Sequence, residues 1–442
     1  MAAGVLLALS AGAARGEGAA APTPAAPRSD FMGNLRARLF DDAAFQAWIH
    51  GPTATGGWQG WRDWLGAAGI YPTVSYTADI LGNPVGGKRH KVRYFHDIFA
   101  GLELDLETIA EIPGAALQVS MSSRAGNSLS DEDIGNVFNV SQVCCQPHTR
   151  LVTLAWEQSL LDKRVNVRLG RLSIGDDFAT SPLYTAFVTS GIDANPGALA
   201  INAPSFSEYP NSSLGLRLRV HPWQRLALQL AVYDGDPDGT RTGAEDFNLS
   251  FSDGVLIIAE SRYRHLWGPA SLPGHYSIGG YYHTGRSSSL NPPADATADA
   301  AEHGNGGMYV TVDQQLVRFG APRAQRGIVP FVAVVGAPVA EINPFPFFFD
   351  AGVVVRGPFE ARPDDDMLFG VVYGAFSSAL RDQQRTQGMP LQDFEMVLEW
   401  TYVIQVTPWF QLSPNVQYVI RPGGTGEIPD ALVAGLQIGL SL

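Results

Sequence analysis

Apolar and polar positions alternate with a period of two along most of the chain after residue 70. In 214–220 every even position is a large aliphatic residue and every odd position is glycine or arginine, and 226–232 continues the pattern after a short turn. Residues 394–406 and 432–442 alternate in the same way. Successive side chains of a strand point to opposite faces, so this pattern predicts antiparallel β-hairpins.

The number and length of these segments indicate the class of sheet. Soluble strands are usually about 5–6 residues long, whereas tilted membrane-spanning strands need about 9–11. We count about sixteen segments, and an even number suits a closed bacterial barrel. The predicted strands lie near 71–80, 93–108, 114–124, 149–160, 163–171, 209–221, 224–233, 252–265, 273–285, 307–319, 326–336, 349–356, 367–377, 391–406, 409–421 and 431–442. The sequence thus predicts an all-β protein, a transmembrane antiparallel β-barrel.

The connections between predicted strands alternate between short and long. Outer-membrane barrels have short periplasmic turns at one rim and longer loops at the other. Short turns lie near Ile112, Asp162, 221–224 and Pro408, and long connections are 125–148, 172–208, 234–251 and 286–306. The link 357–366 does not fit, because it should be short and is not.

The first 70 residues lack this alternation. An apolar run followed by small residues predicts a signal peptide in 1–18, and an Ala-rich disordered tail is the alternative. Prolines among alanines make 19–30 a linker. Apolar residues at helical spacing predict a helical periplasmic segment in 31–70, which leaves 71–442 for the barrel.

Composition agrees with this picture. The formal net charge is −13 and only 17% of residues are charged, which argues against nucleic acid as a partner. Mean hydropathy is −0.00, and beyond the N-terminus no apolar stretch is long enough for a transmembrane helix, which needs about 18 residues. Barrel strands expose only alternate residues to lipid, so such a mean does not exclude a membrane barrel.

Strand parity assigns polar residues to the lumen when the aliphatic residues face lipid. An arginine facing lipid at mid-bilayer would cost about 2–4 kcal/mol. Arginine and carboxylate groups together could replace the water around a solute's hydroxyl group, which both donates and accepts hydrogen bonds. The alternative is that these charges merely solvate a water-filled interior. The predicted pore-lining and selectivity residues are Glu103, Asp105, Arg124, Glu157, Asn166, Arg168, Arg217, Arg219, Glu395 and Glu399.

Several short motifs, in order along the chain, resemble those of the carbohydrate-selective porin family (OprB type). They include Gly57-Trp58 with Trp61-Arg62, Leu104-Asp105-Leu106-Glu107, 136–142, Gly170-Arg171-Leu172-Ser173, 175–179, Ser181-Pro182-Leu183-Tyr184 and 417–424. The chain departs from that family in its final Leu442, where an aromatic residue is usual, and in Cys144-Cys145.

The resemblance implies a sixteen-stranded outer-membrane barrel through which sugars diffuse. It also implies that loop 172–208 folds inward, with Asp176, Asp177 and Tyr184 as candidates for the constriction. The alternative is a structural turn in which the two acids cap local backbone N–H groups.

Two loop motifs contain residue types that can bind metal ions. Asp234, Asp236, Asp238 and Glu245 have the spacing of a calcium loop, although an ordinary Asp/Gly hairpin loop is the competing interpretation. The adjacent Cys144 and Cys145 favour a vicinal disulfide or free thiols over a metal site. No nucleophile, zinc-enzyme or nucleotide motif occurs, so we expect no enzymatic activity.

The strand pattern therefore predicts a bacterial outer-membrane barrel. The resemblance implies that it is a porin for passive, carbohydrate-selective diffusion of glucose-type monosaccharides or polyols. Its expected partners are neutral sugars, outer-membrane lipid and other copies of the chain in a homo-oligomer. The alternative is a secreted, soluble β-sandwich that binds or cleaves carbohydrate.

Overall fold

The computed structural model describes residues 42–143, 147–235, 254–292, 301–321 and 324–442. Within these ranges the chain is mainly β-structure.

The described strands form one antiparallel sheet that closes on itself. They are β1 (Ile70–Val85), β2 (Val92–Asp105), β3 (Ala115–Gly126), β4 (His148–Leu160), β5 (Val165–Leu172), β6 (Ser213–Trp223), β7 (Leu226–Asp234), β8 (Val255–Trp267), β9 (Leu272–Ser288), β10 (Ala301–Gln314), β11 (Val317–Arg318), β12 (Gly327–Gly336), β13 (Phe347–Arg356), β14 (Asp366–Ala375), β15 (Phe394–Thr407), β16 (Phe410–Ile420) and β17 (Ala431–Ser441). Strands adjacent along the chain pair with each other, β10 also pairs with β12, and β17 pairs with β1. Because β11 is only a two-residue extension, sixteen long strands make the barrel wall, and the predicted fold is confirmed.

The barrel is apolar outside, and on strands such as β5 and β6 its inner face is polar. Leu169 on β5 lies opposite Leu216 on β6, and these side chains are 55% and 48% exposed. Their neighbours Arg168 and Arg217 also lie opposite each other, but both are buried. This arrangement is the reverse of a soluble protein and suits a barrel surrounded by lipid. The alternative of a soluble β-sandwich is therefore wrong.

The two rims differ in the connections that they carry. The turn rim carries the links 106–114, 161–164, 224–225, 268–271, 315–326, 357–365 and 408–409. The loop rim carries the links 86–91, 127–147, 173–212, 235–254, 289–300, 337–346, 376–393 and 421–430. The link that did not fit the prediction lies at the turn rim and is internally braced, since Arg362 pairs with Asp365 at 2.9 Å.

The described N-terminal residues lie against the turn rim. Helix α1 (Asp42–Ile49) and helix α2 (Trp61–Ala67) fall within the predicted helical segment. The ring of Trp48 packs 4.8 Å from that of Trp409 in the β15–β16 turn, and the Ala54 N–H donates to the Ser441 carbonyl at 2.8 Å. These contacts join the segment to the end of the chain at the rim.

In the described parts of the links between strands, three segments form short α-helices. Helix α3 (Leu106–Ala110) lies at the turn rim, whereas α4 (Ala198–Asn202) and α5 (Ser378–Gln387) lie in links of the loop rim. Among the helices that the structure describes, none is long and apolar enough to cross a membrane.

Candidate functional site

The link between β5 and β6, residues 173–212, folds into the barrel, and we call it the inner loop. Most of its apolar side chains are buried. Along its course the Ala179 N–H donates to Glu260 on β8, the Ser181 hydroxyl bonds Asp313 on β10, and the Val188 N–H donates to Glu399 on β15, at 2.8–2.9 Å. The inner loop therefore follows the inside of the wall and narrows the lumen.

An apolar core joins the inner loop to the wall at β12–β14. The Phe187 ring packs 5.3 Å from the Phe331 ring, and Tyr184 packs edge-on against the same ring at 5.7 Å. Opposite Phe187 and Ile192 the wall carries Gly370, where an added Cβ would lie only 2.6–2.7 Å from their side-chain atoms. The missing side chain leaves room for the inner loop, and Tyr184 is a buried packing residue.

Two carboxylates of β15 bind the backbone of three loop-rim links, the inner loop and the links that contain Val137 and Gly423, which we call the inward loops. These two carboxylates are the carboxylate clamps. Glu395 accepts hydrogen bonds from the N–H groups of Val137 and Phe138 at 2.8–2.9 Å and of Gly423 at 2.7 Å. Glu395 points inward as its parity predicts, but it is fully buried behind the loops.

The second clamp holds the inner loop. Glu399 accepts from the N–H groups of Val188 and Thr189 at 2.8–2.9 Å, and from the Thr401 hydroxyl and the Asn415 amide at 2.7–2.9 Å. Its exposed fraction is only 1%. Charge-assisted bonds to backbone N–H groups are among the stronger hydrogen bonds in proteins, so both clamps fix loop position.

Arg124 also serves as an inward brace. Its guanidinium donates to the Gln142 carbonyl at 2.6 Å, lies 3.4 Å from the Asp97 carboxylate and stacks over the Tyr209 ring at 5.2 Å. The Tyr209 hydroxyl donates to the same carboxylate at 2.7 Å. Arg124 thus joins the wall to the β3–β4 link, through Gln142, and to the inner loop, through Tyr209.

On the opposite part of the wall, inward side chains of β2–β8 form a charged band. Glu157, Arg168 and Arg217 are direct cross-strand partners, and Asn166, Arg219, Gln229 and Glu260 form the adjacent row. The remaining members are Glu103, Gln118, Arg262 and, from the inner loop, Asp177.

Asp177 neutralises the centre of the charged band. Its carboxylate lies 2.8 Å from Arg168, 2.9 Å from Arg219 and 3.3 Å from Arg217. Like charges directly opposite each other destabilise a strand pair, and this carboxylate offsets that repulsion. Burial alone would raise the pKa of Asp177, but the three guanidiniums outweigh it and hold the pKa well below its usual value.

The adjacent Asp176 has the opposite electrostatic behaviour. Part of its surface stays accessible, but its carboxyl lies deep in the protein, and this burial raises its pKa to about 7. The attraction of Arg168 lowers the pKa by less than burial raises it. Consequently Asp177 is a permanent negative charge, whereas Asp176 can gain a charge near neutral pH.

The partly accessible carboxylates and the partly accessible guanidiniums occupy different ends of the charged band. At one end the Gln118 amide bonds both Glu103 and Glu157 at 3.2 Å, and the Asn166 amide donates to Glu157 at 2.8 Å. Arg168 donates to the Gln118 carbonyl at 2.8 Å and joins the two ends.

Arg219 and Arg262 lie at the other end. Their side chains are 26% and 25% exposed, close to the 27% of Glu157. The Arg262 guanidinium bonds Glu260 at 2.8 Å and Thr180 at 3.0 Å. The band therefore presents partly accessible donors at one end and partly accessible acceptors at the other, which is the pattern that can bind hydroxyl groups.

Four members of the charged band are not among the predicted pore-lining residues: Gln118, Gln229, Glu260 and Arg262. All four lie in predicted strands and face the lumen, so strand parity is the sequence signal that identifies them.

The remaining predicted site residues lie outside both the charged band and the carboxylate clamps. Asp105 caps helix α3 at the turn rim, where it accepts from the Glu107 and Thr108 N–H groups. Asp234 is buried at the end of β7. Asp236, Asp238, Glu245, Cys144 and Cys145 lie outside the described residues. Within the described ranges, no three His, Cys, Asp or Glu side chains converge as metal ligands would.

Comparison with known proteins agrees with this architecture. The sequence profile of the family "Carbohydrate-selective porin, OprB family" matches residues 89–442. Porin B of Pseudomonas aeruginosa is 29% identical over 415 residues, covering 87% of this chain and 90% of that protein. A putative porin of Acinetobacter baylyi, QuiX, is 25% identical over 422 residues, covering 87% and 92%.

A solved structure is similar as well. The high-pH structure of Pseudomonas putida OprB superposes with a TM-score of 0.82 and 26% identity, covering 89% of this chain and 99% of that one. The relatives are porins, which are channels rather than enzymes, and a barrel with an apolar exterior is a protein of the bacterial outer membrane. This chain belongs to the carbohydrate-selective porin family of the OprB type.

Proposed function

We propose that the barrel lets neutral sugars of monosaccharide size, or polyols, diffuse passively into the periplasm. The observation that carries this proposal is the charged band, where Glu157 and Arg219 offer partly accessible groups of opposite charge beside the inner loop. Family membership supports carbohydrate as the substrate class.

The band can favour sugars because a hydroxyl group both donates and accepts hydrogen bonds. A sugar beside the band would donate to Glu103 or Glu157 and accept from Arg219 or Arg262, which replaces the water it loses on entering a narrow space. Charges of both signs do not make the lumen attractive to a single type of ion. Weak, replaceable hydrogen bonds suit a channel, since the substrate has to leave as well as enter.

The test is sugar permeation through the purified protein. Wild-type protein in liposomes should admit glucose, and glucose should reduce the salt conductance of single channels in planar bilayers. The double variant Glu157→Gln/Arg219→Gln removes both charges and keeps polar side chains, and it should slow glucose entry about fivefold, as expected for about 1 kcal/mol of lost hydrogen bonding.

The control is Lys88→Gln/Arg385→Gln. It removes two exposed cations at the loop rim, away from the charged band, and should leave glucose entry unchanged. Glucose exclusion by the wild type, or equal rates for the two double variants, would contradict the proposal.

Two other interpretations of the sequence stay predictions. Calcium binding by Asp234, Asp236, Asp238 and Glu245 is one, and association of barrels into a homo-oligomer is the other. A calcium-dependent rise in the unfolding temperature would test the first prediction. The mass of the detergent-solubilised protein would test the second.

A further inference from the structure

An open groove lies at the turn rim beside the β6–β7 turn. Its volume is about 560 Å³, within the size range of small-molecule sites. It is lined by Arg164, Pro222, Trp223, Gln224, Arg225, Leu226 and Tyr263. We call it the rim groove.

The rim groove opens on the lipid side of the barrel. Trp223 lies opposite Leu226, which lies opposite Tyr263 on β8, and directly opposed residues share one face of a sheet. This row lies on the outer face, where Trp223 is 69% and Tyr263 42% exposed. Tryptophan and tyrosine concentrate where hydrocarbon meets the headgroup layer, so the groove lies at headgroup depth.

The charge of the rim groove is positive. Arg164 and Arg225 are exposed, and within the described ranges neither guanidinium makes an ion pair or a hydrogen bond. None of the lining residues is acidic. Asp162 and Lys163, in the turn before Arg164, carry opposite charges, so together they do not change the net positive charge around the groove.

The backbone holds the two arginines on neighbouring hairpins. The Arg164 carbonyl accepts from the His221 N–H, and the Arg225 carbonyl accepts from the Arg264 N–H, both at 2.8 Å. The bases of the two side chains are therefore fixed by the sheet, while their guanidiniums stay available for an external anion.

We propose that the rim groove binds the phosphate headgroup of an anionic phospholipid in the leaflet at the turn rim. The two guanidiniums would hold phosphate oxygens, which their planar donor groups match. The Gln224 amide could bind the glycerol part of the headgroup, and Leu226 with the two aromatic rings would contact the upper acyl chain. Basic groups at headgroup depth are a general device for recognising anionic lipids. This proposal is independent of the sugar that passes through the lumen.

The test uses the intact barrel in detergent, with lipid binding followed by native mass spectrometry. Phosphatidylglycerol should bind the wild type more tightly than phosphatidylcholine does. Arg164→Gln/Arg225→Gln should weaken phosphatidylglycerol binding about tenfold, because two charge-assisted contacts are lost. Phosphatidylcholine binding should fall by less, because the choline cation of that lipid already opposes the guanidiniums. The control Lys88→Gln/Arg385→Gln removes the same charge at the opposite rim and should bind both lipids as the wild type does.

Heat-modifiable mobility on a gel checks that each variant forms a barrel. If the glutamine variant does not fold, Arg164→Lys/Arg225→Lys keeps the charge without the planar donors and should bind phosphatidylglycerol with intermediate affinity. Equal binding of the two lipids by the wild type, or undiminished phosphatidylglycerol binding by both folded arginine variants, would overturn the proposal. A changed oligomer mass with unchanged lipid binding would identify the groove as a contact between copies of the chain, and would also overturn it.

Discussion

Two sectors of the inner wall use inward polar residues in different ways. On β2–β8 the charged band keeps partly accessible side chains such as Glu157 and Arg219 beside the lumen. On β15 the carboxylate clamps Glu395 and Glu399 point inward with the same strand parity, yet they are covered by the loops that they bind. Facing the lumen is therefore not the same as lining the channel.

The difference follows from what the inward loops offer to each sector. Backbone N–H groups of the loops reach the clamps and satisfy them, so no water is needed there. The inner loop reaches part of the charged band, where the Ala179 N–H bonds Glu260 and the Asp177 carboxylate pairs with arginines. Among the described residues, Glu103 and Glu157 bond only side chains of the wall, so the loop leaves these two carboxylates uncovered. We infer that the sector with the carboxylate clamps, the clamp sector, sets the shape of the channel. We infer that the sector with the charged band, the charged sector, sets its selectivity.

Removing both clamps should have the largest effect. Glu395→Ala/Glu399→Ala takes away loop anchors whose charge-assisted hydrogen bonds contribute about 1.5–3 kcal/mol each. The inward loops should loosen, single-channel conductance should rise at least about twofold, and current noise should increase. Single-channel recording measures both the conductance and the current noise.

The control for the clamp variant is Glu103→Ala/Glu157→Ala, which deletes two carboxylates from the charged sector. It should change ion selectivity while current noise stays at the wild-type level. If both double variants behave alike, the distinction between the two sectors fails.

The pH dependence of selectivity should show a smaller effect, carried by Asp176. Because its pKa is raised to about 7, this carboxyl is mostly neutral at lower pH and becomes negative as the pH rises through that value. The cation-to-anion permeability ratio of the wild type should therefore increase between about pH 6 and pH 8. Reversal potentials in a salt gradient measure the ratio.

Two variants separate the neighbouring acids. Asp176→Asn should reduce this pH step, whereas Asp177→Asn should lower the ratio above pH 7 and move the step to lower pH, because the charge of Asp177 helps to raise the pKa of Asp176. A full pH step in Asp176→Asn would show that another group carries it.

A single methyl group in the clamp sector should have the smallest effect. In Gly370→Ala the new Cβ would lie within 2.7 Å of Phe187 and Ile192, so the inner loop must shift, at a cost of about 1–3 kcal/mol. Gly336→Ala is the control, because nothing lies within 4 Å of its added Cβ. Only the first variant should alter conductance and lower the unfolding temperature.

Strand parity carried most of the fold prediction. The alternation in 214–220 predicted that Leu216 faces out and Arg217 faces in, and the structure has both orientations. Such predictions succeed because a one-residue slip in register would move every arginine of the strand into lipid.

The same parity could not separate the residues of the charged band from those of the clamps. Arg219 and Glu399 have equivalent inward positions, but only the second meets backbone N–H groups of a loop about 210 residues away in the chain. The role of Asp177 likewise depends on three arginines from β5 and β6 that meet only in the folded barrel.

The sequence by itself determined the class of the fold, the approximate bounds of the strands and the side of the wall to which each residue points, because lipid and water select opposite faces of every strand. The tertiary structure decided which inward residues stay accessible, because this depends on where the loops dock. It also decided which outward positively charged residues meet at one groove, because the turns of successive hairpins become neighbours only when β5 pairs with β6.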